Sequence, residues 1–266
     1  INETRDLLIT RRIAPSAGLD NPTLNVGKMR NQGFELELNW NDKISDFEYN
    51  VGFNISTIAN KVVALANEDQ TIYGVGLKYG TEHFPTQTKV GKPIGAFYLY
   101  QADGIFQSLE EVQAHKNSKG ELLQPNAQPG DVRFKDMNGD GVIDEDDKTY
   151  SGTGIAKVEA NLNLGASYKG FDFSAVIGSA FGNKLYNGIR YYYEGMNSGS
   201  NFLKTTLNAW TPTNTKTDIP RAVFGDPNQN TRESTRSLEN SAFVRQRQVQ
   251  EGYTLPKASS KQIHSE

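Results

Sequence analysis

The residues best suited to chemistry lie in one stretch, Asp136-Met-Asn138-Gly-Asp140-Gly141-Val142-Ile-Asp144-Glu-Asp146-Asp147. Asp136, Asn138 and Asp140 alternate, so their side-chain oxygens can converge on one hard cation if the chain wraps around it. Gly141 falls where such a loop turns sharply, the Val142 carbonyl follows it, and Asp144 comes two residues later. Asp147 stands where a Glu usually closes the loop with two oxygens, and its shorter side chain implies weaker or differently shaped coordination. The spacing predicts one structural Ca²⁺ held by Asp136, Asn138, Asp140, Val142, Asp144 and Asp147, with an affinity of about 10⁻⁴–10⁻³ M. Calcium suits the site better than magnesium because the loop offers many flexible oxygens rather than a rigid octahedron. The flanks do not read as paired helices, so this is not an EF-hand. The competing reading is an Asx-rich turn whose side chains satisfy its own backbone.

Other chemistry is sparse. His83, His115 and His264 have no ligand-spaced partners and read as ordinary surface residues. Gly152-Thr-Gly154 lacks the preceding strand and following helix of a phosphate loop. No Ser/His/Asp set can be assembled, nor the carboxylate pair on strand ends that a glycoside hydrolase fragment would need. The absence of cysteine excludes disulfides, thiolate metal sites and Cys nucleophiles. The chain therefore does not read as an enzyme. Its 28 basic and 31 acidic side chains are spread evenly, which leaves no basic footprint for nucleic acid. Tyr191, Tyr192, Tyr193 and Trp210 could stack on sugar rings or meet a partner, or could pack their loop against itself.

The elements that carry these residues are strands. Mean hydropathy is −0.60 and no long apolar run occurs, which excludes a transmembrane helix but not a transmembrane barrel. Phe34-Glu-Leu36-Glu-Leu38-Asn-Trp40 alternates apolar with polar, as does Phe47-Glu-Tyr49-Asn-Val51-Gly-Phe53-Asn-Ile55. Two such arms predict an antiparallel hairpin of residues 33–40 and 47–55 through a turn near 41–46. A second hairpin runs from Leu162 to Tyr168, turns at Lys169-Gly170 and continues from Phe171 to Ala175. A single strand is expected from Phe243 to Leu255, stopped by Pro256. Along it Phe243, Val249, Glu251, Tyr253 and Leu255 fall on one face, which sets a carboxylate among apolar neighbours.

The connections at 57–159 and 179–241 are long, and loops beyond about 15 residues are uncommon in compact soluble domains. Outer-membrane barrels pair short periplasmic turns with long extracellular loops. On that pattern the two turns are periplasmic and the long connections extracellular. Trp40, Phe47, Tyr49, Tyr168 and Phe171 flank the turns as an interfacial girdle would. The expected fold class is all-β, an antiparallel transmembrane β-barrel segment with long extracellular loops. The patterning alone also admits an antiparallel sheet with one buried face in a soluble extracellular calcium- or glycan-binding module.

An ordered series of segments resembles the SusC/RagA branch of TonB-dependent outer-membrane transporters. It opens with Asn25-Val-Gly-Lys-Met-Arg-Asn31-Gln-Gly33-Phe-Glu35-Leu, Asn54-Ile-Ser56 and Asn60-Lys-Val62. Val90-Gly91-Lys-Pro93-Ile-Gly95-Ala-Phe97-Tyr, Asp103-Gly104-Ile-Phe106 and Pro129-Gly130-Asp131-Val-Arg133-Phe-Lys-Asp136 follow. Trp210-Thr-Pro212-Thr-Asn214, Ile219-Pro220-Arg221 and Gly252-Tyr253-Thr254-Leu255-Pro256 close it, so the likeness runs from about residue 5 to 257. It implies a large plugged barrel in the outer membrane of a Gram-negative, Bacteroidetes-like bacterium. A SusD-like surface lipoprotein would cap it, the TonB complex would drive it, and glycans or peptides would be its substrates. The chain opens at Ile1 without a signal peptide and reads as a C-terminal barrel fragment. The plug, the TonB-contact segment and the family's last strands are not in this sequence.

Overall fold

The computed structural model of the chain describes residues 1–10, 22–67, 70–79, 81–197 and 201–255. His264 and Pro256 lie outside them. The first strands are β1 (Asn2–Thr10), β2 (Thr23–Gln32), β3 (Glu35–Ile44), β4 (Phe47–Thr57) and β5 (Ala59–Ala64). Short strands follow: β6 (Ile72–Tyr73), β7 (Leu77–Tyr79), β8 (Thr81–His83), β9 (Thr86–Thr88), β10 (Ala96–Leu99) and β11 (Ala102–Ile105). Helix α1 (Leu109–Ala114) leads to β12 (Val132–Phe134), β13 (Thr149–Gly152), β14 (Val158–Tyr168), β15 (Phe171–Phe181) and β16 (Lys184–Tyr186). Helix α2 (Gly188–Tyr193), β17 (Leu238–Asn240) and β18 (Phe243–Tyr253) complete the described strands and α-helices.

The long strands form one antiparallel sheet in the order β18-β15-β14-β4-β3. Both expected hairpins are there. The first turn is shorter than its composition suggested, because β3 continues to Ile44 and only Ser45-Asp46 reverse the chain. Side-chain contacts accompany the extension: Lys43 pairs with Glu48, and the Tyr49 hydroxyl donates to the Asp42 carboxylate at 3.4 Å. At the second turn Lys169 and Gly170 both have positive φ, 47° and 89°. A two-residue turn of that hand matches the twist of its flanking strands.

Register sorts the side chains strictly by face. Leu36↔Ile55, Leu38↔Phe53 and Trp40↔Val51 pair in the first hairpin. Phe53 then meets Leu162 and Val51 meets Leu164, while Leu162 meets Ile177 and Leu164 meets Ala175. One face is therefore apolar over β3, β4, β14 and β15 apart from Asp42 and Ser179, while β18 sets Gln246 and Glu251 among Val244, Val249 and Tyr253. The other carries Glu37, Asn39, Asn50, Asn54, Asn161, Asn163 and Ser174, with Asn161 donating to Asn54 at 2.9 Å. A period of two generates this division, since successive residues point to opposite sides of a strand.

The first hairpin extends beyond the sheet without losing register. The Thr57 amide donates to the Phe34 carbonyl at 2.8 Å, and β2 and β5 resume with Gln32↔Ala59 and Arg30↔Lys61. Gly33 permits the passage, because a Cβ there would lie 1.7 Å from the Thr57 carbonyl oxygen. Strand β1 pairs on the far side of β2.

Between the long strands, beyond β5, the described residues of 65–157 and 182–242 fold together into one body. Tyr100 bridges to Ser234, the Ala102 amide donates to the Thr235 hydroxyl, and Gln124 donates to Asn228 at 2.9 Å. The body has small cores of its own, Tyr100 with Val132 and Phe134, and Phe106 with Val112 and Ala127. Its buried interior accounts for how such long connections hold a fixed shape.

Candidate functional site

Two parts of the chain have the makings of a functional surface: the two-faced sheet, and the polar anchors that fix the body beside it. On the apolar face Leu38, Trp40, Phe171 and Val244 are each 55–67% exposed. A soluble protein rarely leaves so broad an apolar surface uncovered. At the turn end Ile44, Phe47, Tyr168, Phe171 and Tyr253 stand in one row across five strands. The Phe171 and Tyr253 rings lie 4.5 Å apart between centroids. A row of this kind matches the aromatic girdle of a membrane barrel.

Strand β18 corrects one sequence reading. A bulge leaves Arg247 without a partner between Val176↔Gln248 and Ile177↔Gln246. The extra residue inverts the alternation, so Val244, not Phe243, shares the face of Val249, Glu251 and Tyr253. Phe243 pairs with Ala180 on the polar face. Glu251 does lie on the apolar face, opposite Phe173 and one step from the girdle row. Asp42 occupies the same level at the other edge of the sheet. A carboxylate near the membrane interface costs little, about 0–1 kcal/mol, which removes the difficulty of placing one there.

The body is fixed by buried ions. Asp131 is fully buried and takes a two-pronged bond from Arg221, at 2.7 and 3.1 Å, a further bond from Asn230 and one from the Gln128 amide. Glu233 is 2% exposed and receives Lys148 on one oxygen and His83 on the other. Burial would raise the pKa of Glu233, but the bonds from His83 and Lys148 outweigh it and hold the group at about 2. Glu194 joins Arg190 and Arg236, and its pKa is likewise lowered despite burial that opposes the shift. The Arg232 guanidinium lies 4.8 Å from the Tyr100 ring centre and 4.7 Å from that of Phe134.

His83 and His115 are therefore not loose surface residues. Nε2 of His115 sits 2.9 Å from the Phe134 carbonyl, and its ring meets Phe106 edge-on. Burial lowers the His115 pKa against the opposing carbonyl. Neither histidine has a sequence neighbour that reveals these contacts, since their partners come from distant segments.

Tyr191, Tyr192, Tyr193 and Trp210 divide between inside and outside. Tyr191 and Trp210 are buried, and the Trp210 indole donates to Gln107 at 2.9 Å. The indole lies so close over Gly130 that a Cβ there would fall 2.4 Å from it. Tyr193, at the end of α2, is exposed.

The Asp-rich loop is knitted to its own backbone. Asp136 accepts from the Gly139 and Gly141 amides, Asn138 from Asp140, and Asp140 from Val142. Asp147 is fully buried, takes the Met137 and Asn138 amides on one oxygen and the Asp144 amide on the other. Among the described residues no group of three or more His, Asp or Glu side chains is gathered to hold a metal ion.

No family model matches the chain. It is 28% identical over 258 residues to TonB-dependent receptor P3 of Formosa agariphila, which covers 96% of this chain and 25% of that receptor. Identity to receptor P26 of the same organism is 29% over 256 residues, and to TonB-dependent receptor SusC of Bacteroides thetaiotaomicron 24% over 262 residues. The chain thus spans about a quarter of the length of these curated relatives. It also superimposes on the structure of the RagAB peptide transporter with a TM-score of 0.69 and 24% identity, covering 96% of this chain and 26% of that one. That likeness speaks for the fold. The relatives bear out the resemblance to SusC/RagA-type receptors, and they are receptors and transporters rather than enzymes.

Proposed function

We propose, from this kinship with TonB-dependent receptors, that the chain builds part of the wall and the outer hood of an outer-membrane nutrient transporter. The observation that carries the reading is the five-stranded sheet with one predominantly apolar face and one polar face. An 11-residue strand is about 37 Å long, and tilted by about 40° it spans the roughly 25 Å apolar band of a barrel. The apolar face would meet outer-membrane lipid and the polar face the lumen. The two connections would then stand outside the cell, where they could meet a SusD-like lipoprotein and a glycan or peptide substrate. Energy would come from the TonB complex through parts of the parent protein beyond this chain.

The test is uptake by the full-length parent in its own host. Deleting its gene should abolish growth on the glycan or peptide it imports, and the wild-type gene should restore it. A copy carrying Leu38→Arg and Leu164→Arg on the apolar face should fail to restore growth and should be lost from the outer membrane. Normal membrane levels of that variant would sink the wall assignment. A parent that is soluble without detergent would favour the extracellular binding module instead.

Calcium binding by Asp136, Asn138, Asp140, Val142, Asp144 and Asp147 is proposed on their spacing. The oxygens that accept amide bonds here keep further lone pairs for a cation. Calorimetric titration of the full-length protein should release heat that Asp140→Ala removes. Equal flat traces at millimolar Ca²⁺ would leave the Asx turn as the whole account.

A further inference from the structure

We infer that the extension of the first hairpin beyond the apolar wall is a docking surface for the phosphate headgroups of membrane lipid. This rests on the outer-membrane reading above. The unbroken register fixes which face is concerned. Phe34, Gln32 and Arg30 continue the alternation of Leu36 and Leu38, and Ala59 and Lys61 continue that of Ile55 and Thr57. Arg30 and Lys61 are a directly opposed pair, and Glu3 of β1 is opposite Arg30 on its other side. Three adjacent strands therefore put charge on the side that is lipid-facing lower down.

The opposite side of the extension is already taken. Val62 is buried, exchanges backbone hydrogen bonds with Lys92 and Gly91 of the body, and lies opposite Met29. Asn60 accepts from the Ile94 amide and donates to Asn31. The charged side faces away from the body, and no other described element covers it.

Its charge is strongly unbalanced. Arg5, Lys28 and Arg30 converge on the single carboxylate of Glu3, at 2.9, 3.2 and 3.1 Å. Lys61 adds a fourth cation. Against four cations stand Glu3 and, at a bulge in the same strand, Asp6. Glu3 cannot neutralise three cations, so donor capacity is left over for an outside anion.

Distance selects the lipid headgroup as that anion. Arg30 lies four residues beyond Phe34, about 14 Å along the strand, and less in height because the strand is tilted. The headgroup layer begins at the edge of the hydrocarbon and is roughly 5–8 Å deep, within reach of long basic side chains. A lipid whose chains lie on Phe34, Leu36 and Ile55 would bring its phosphate to Arg30 and Lys61. Continuity of the apolar and basic surfaces on one face is what a free phosphate would not need.

The experiment is native mass spectrometry of the full-length protein in detergent, titrated separately with phosphatidylglycerol and phosphatidylcholine. Wild type should retain phosphatidylglycerol in preference. Each basic residue near an anionic surface contributes about fivefold in affinity, so Arg30→Gln/Lys61→Gln should cut the preference by about 25-fold and Arg5→Gln/Lys28→Gln by a similar factor. Resistance to unfolding in cold detergent gels checks that each variant keeps its barrel. Equal phosphatidylglycerol retention by wild type and by folded variants would overturn the proposal. So would displacement of the lipid by millimolar inorganic phosphate, which would mark a simple anion site. A wild-type protein that binds neither lipid and runs as an unfolded chain would instead overturn the outer-membrane reading beneath it.

Discussion

At the residue scale the body depends on carboxylates that have no access to water. Asp131 holds Arg221, Asn230 and the Gln128 amide at once, so its loss leaves a cation and two donors unpaired. Asp131→Ala should destabilise the body by about 3–5 kcal/mol, read as faster amide exchange over residues 124–134 and 221–231 of the parent protein. Exchange unchanged in the variant would show that the clamp is idle. Glu233 gives a pH signature. Its folded pKa of about 2 lies below the ordinary carboxylate value of 4.5, so its contribution is complete above about pH 4.5 and is lost as pH falls toward 2. That contribution is on the order of 3 kcal/mol. Glu233→Gln should flatten the acid dependence of exchange around His83 and Lys148, and an unaltered acid profile would assign it elsewhere. The sequence showed the Asp-rich loop as a chemical candidate but not these anchors. Asp131 and Arg221 are 90 positions apart, and nothing local marks a carboxylate as the partner of a distant cation.

At the scale of elements the wall was legible because its cause is local. Alternation in Phe34–Trp40 and in Leu162–Tyr168 reports a half-buried strand wherever it occurs, and the short turns between arms complete the hairpin. Strand β18 was legible as a strand but not in its facing. A bulge adds one residue without altering composition, so counting by twos from Phe243 gives the wrong face beyond Arg247. Single cysteines in the parent protein should show this directly. Those at Val244 and Val249 should react with lipid-soluble maleimide and resist a charged one, while those at Arg245 and Gln248 should show the reverse. Uninterrupted alternation would instead put 245 with 249. The short strands of the connections carry no such pattern, because two to four residues are too few to display a period. They owe their form to pairing across the body rather than to their own sequence.

At the scale of the molecule the chain is a five-stranded sheet with a body of shorter elements at one end. The wall ends in turns of two residues at Ser45-Asp46 and Lys169-Gly170. The other end carries everything between residues 58 and 157 and between 182 and 242. In intact cells bearing the parent protein, a cysteine at Phe224, which is 83% exposed, should react with an impermeant reagent added outside. One at Asp46 should react only after the outer membrane is opened. The reverse pattern would invert the orientation, and equal labelling of both would argue against a spanning wall.

The joining of the two connections also sets an order in time. Each wall hairpin can close as soon as its own residues exist, since its arms are separated by two. The hood cannot, because Gln124 waits for Asn228 and Asp131 for Arg221. Contacts closed over so long an interval are slow to find. A nascent chain halted after Phe181 would own four wall strands, β3, β4, β14 and β15, and half a hood with its polar groups bare. Chaperones that hold unfolded chain should therefore stay on the stretch from Gln124 to Phe134 until its partners, about a hundred residues later, have been made.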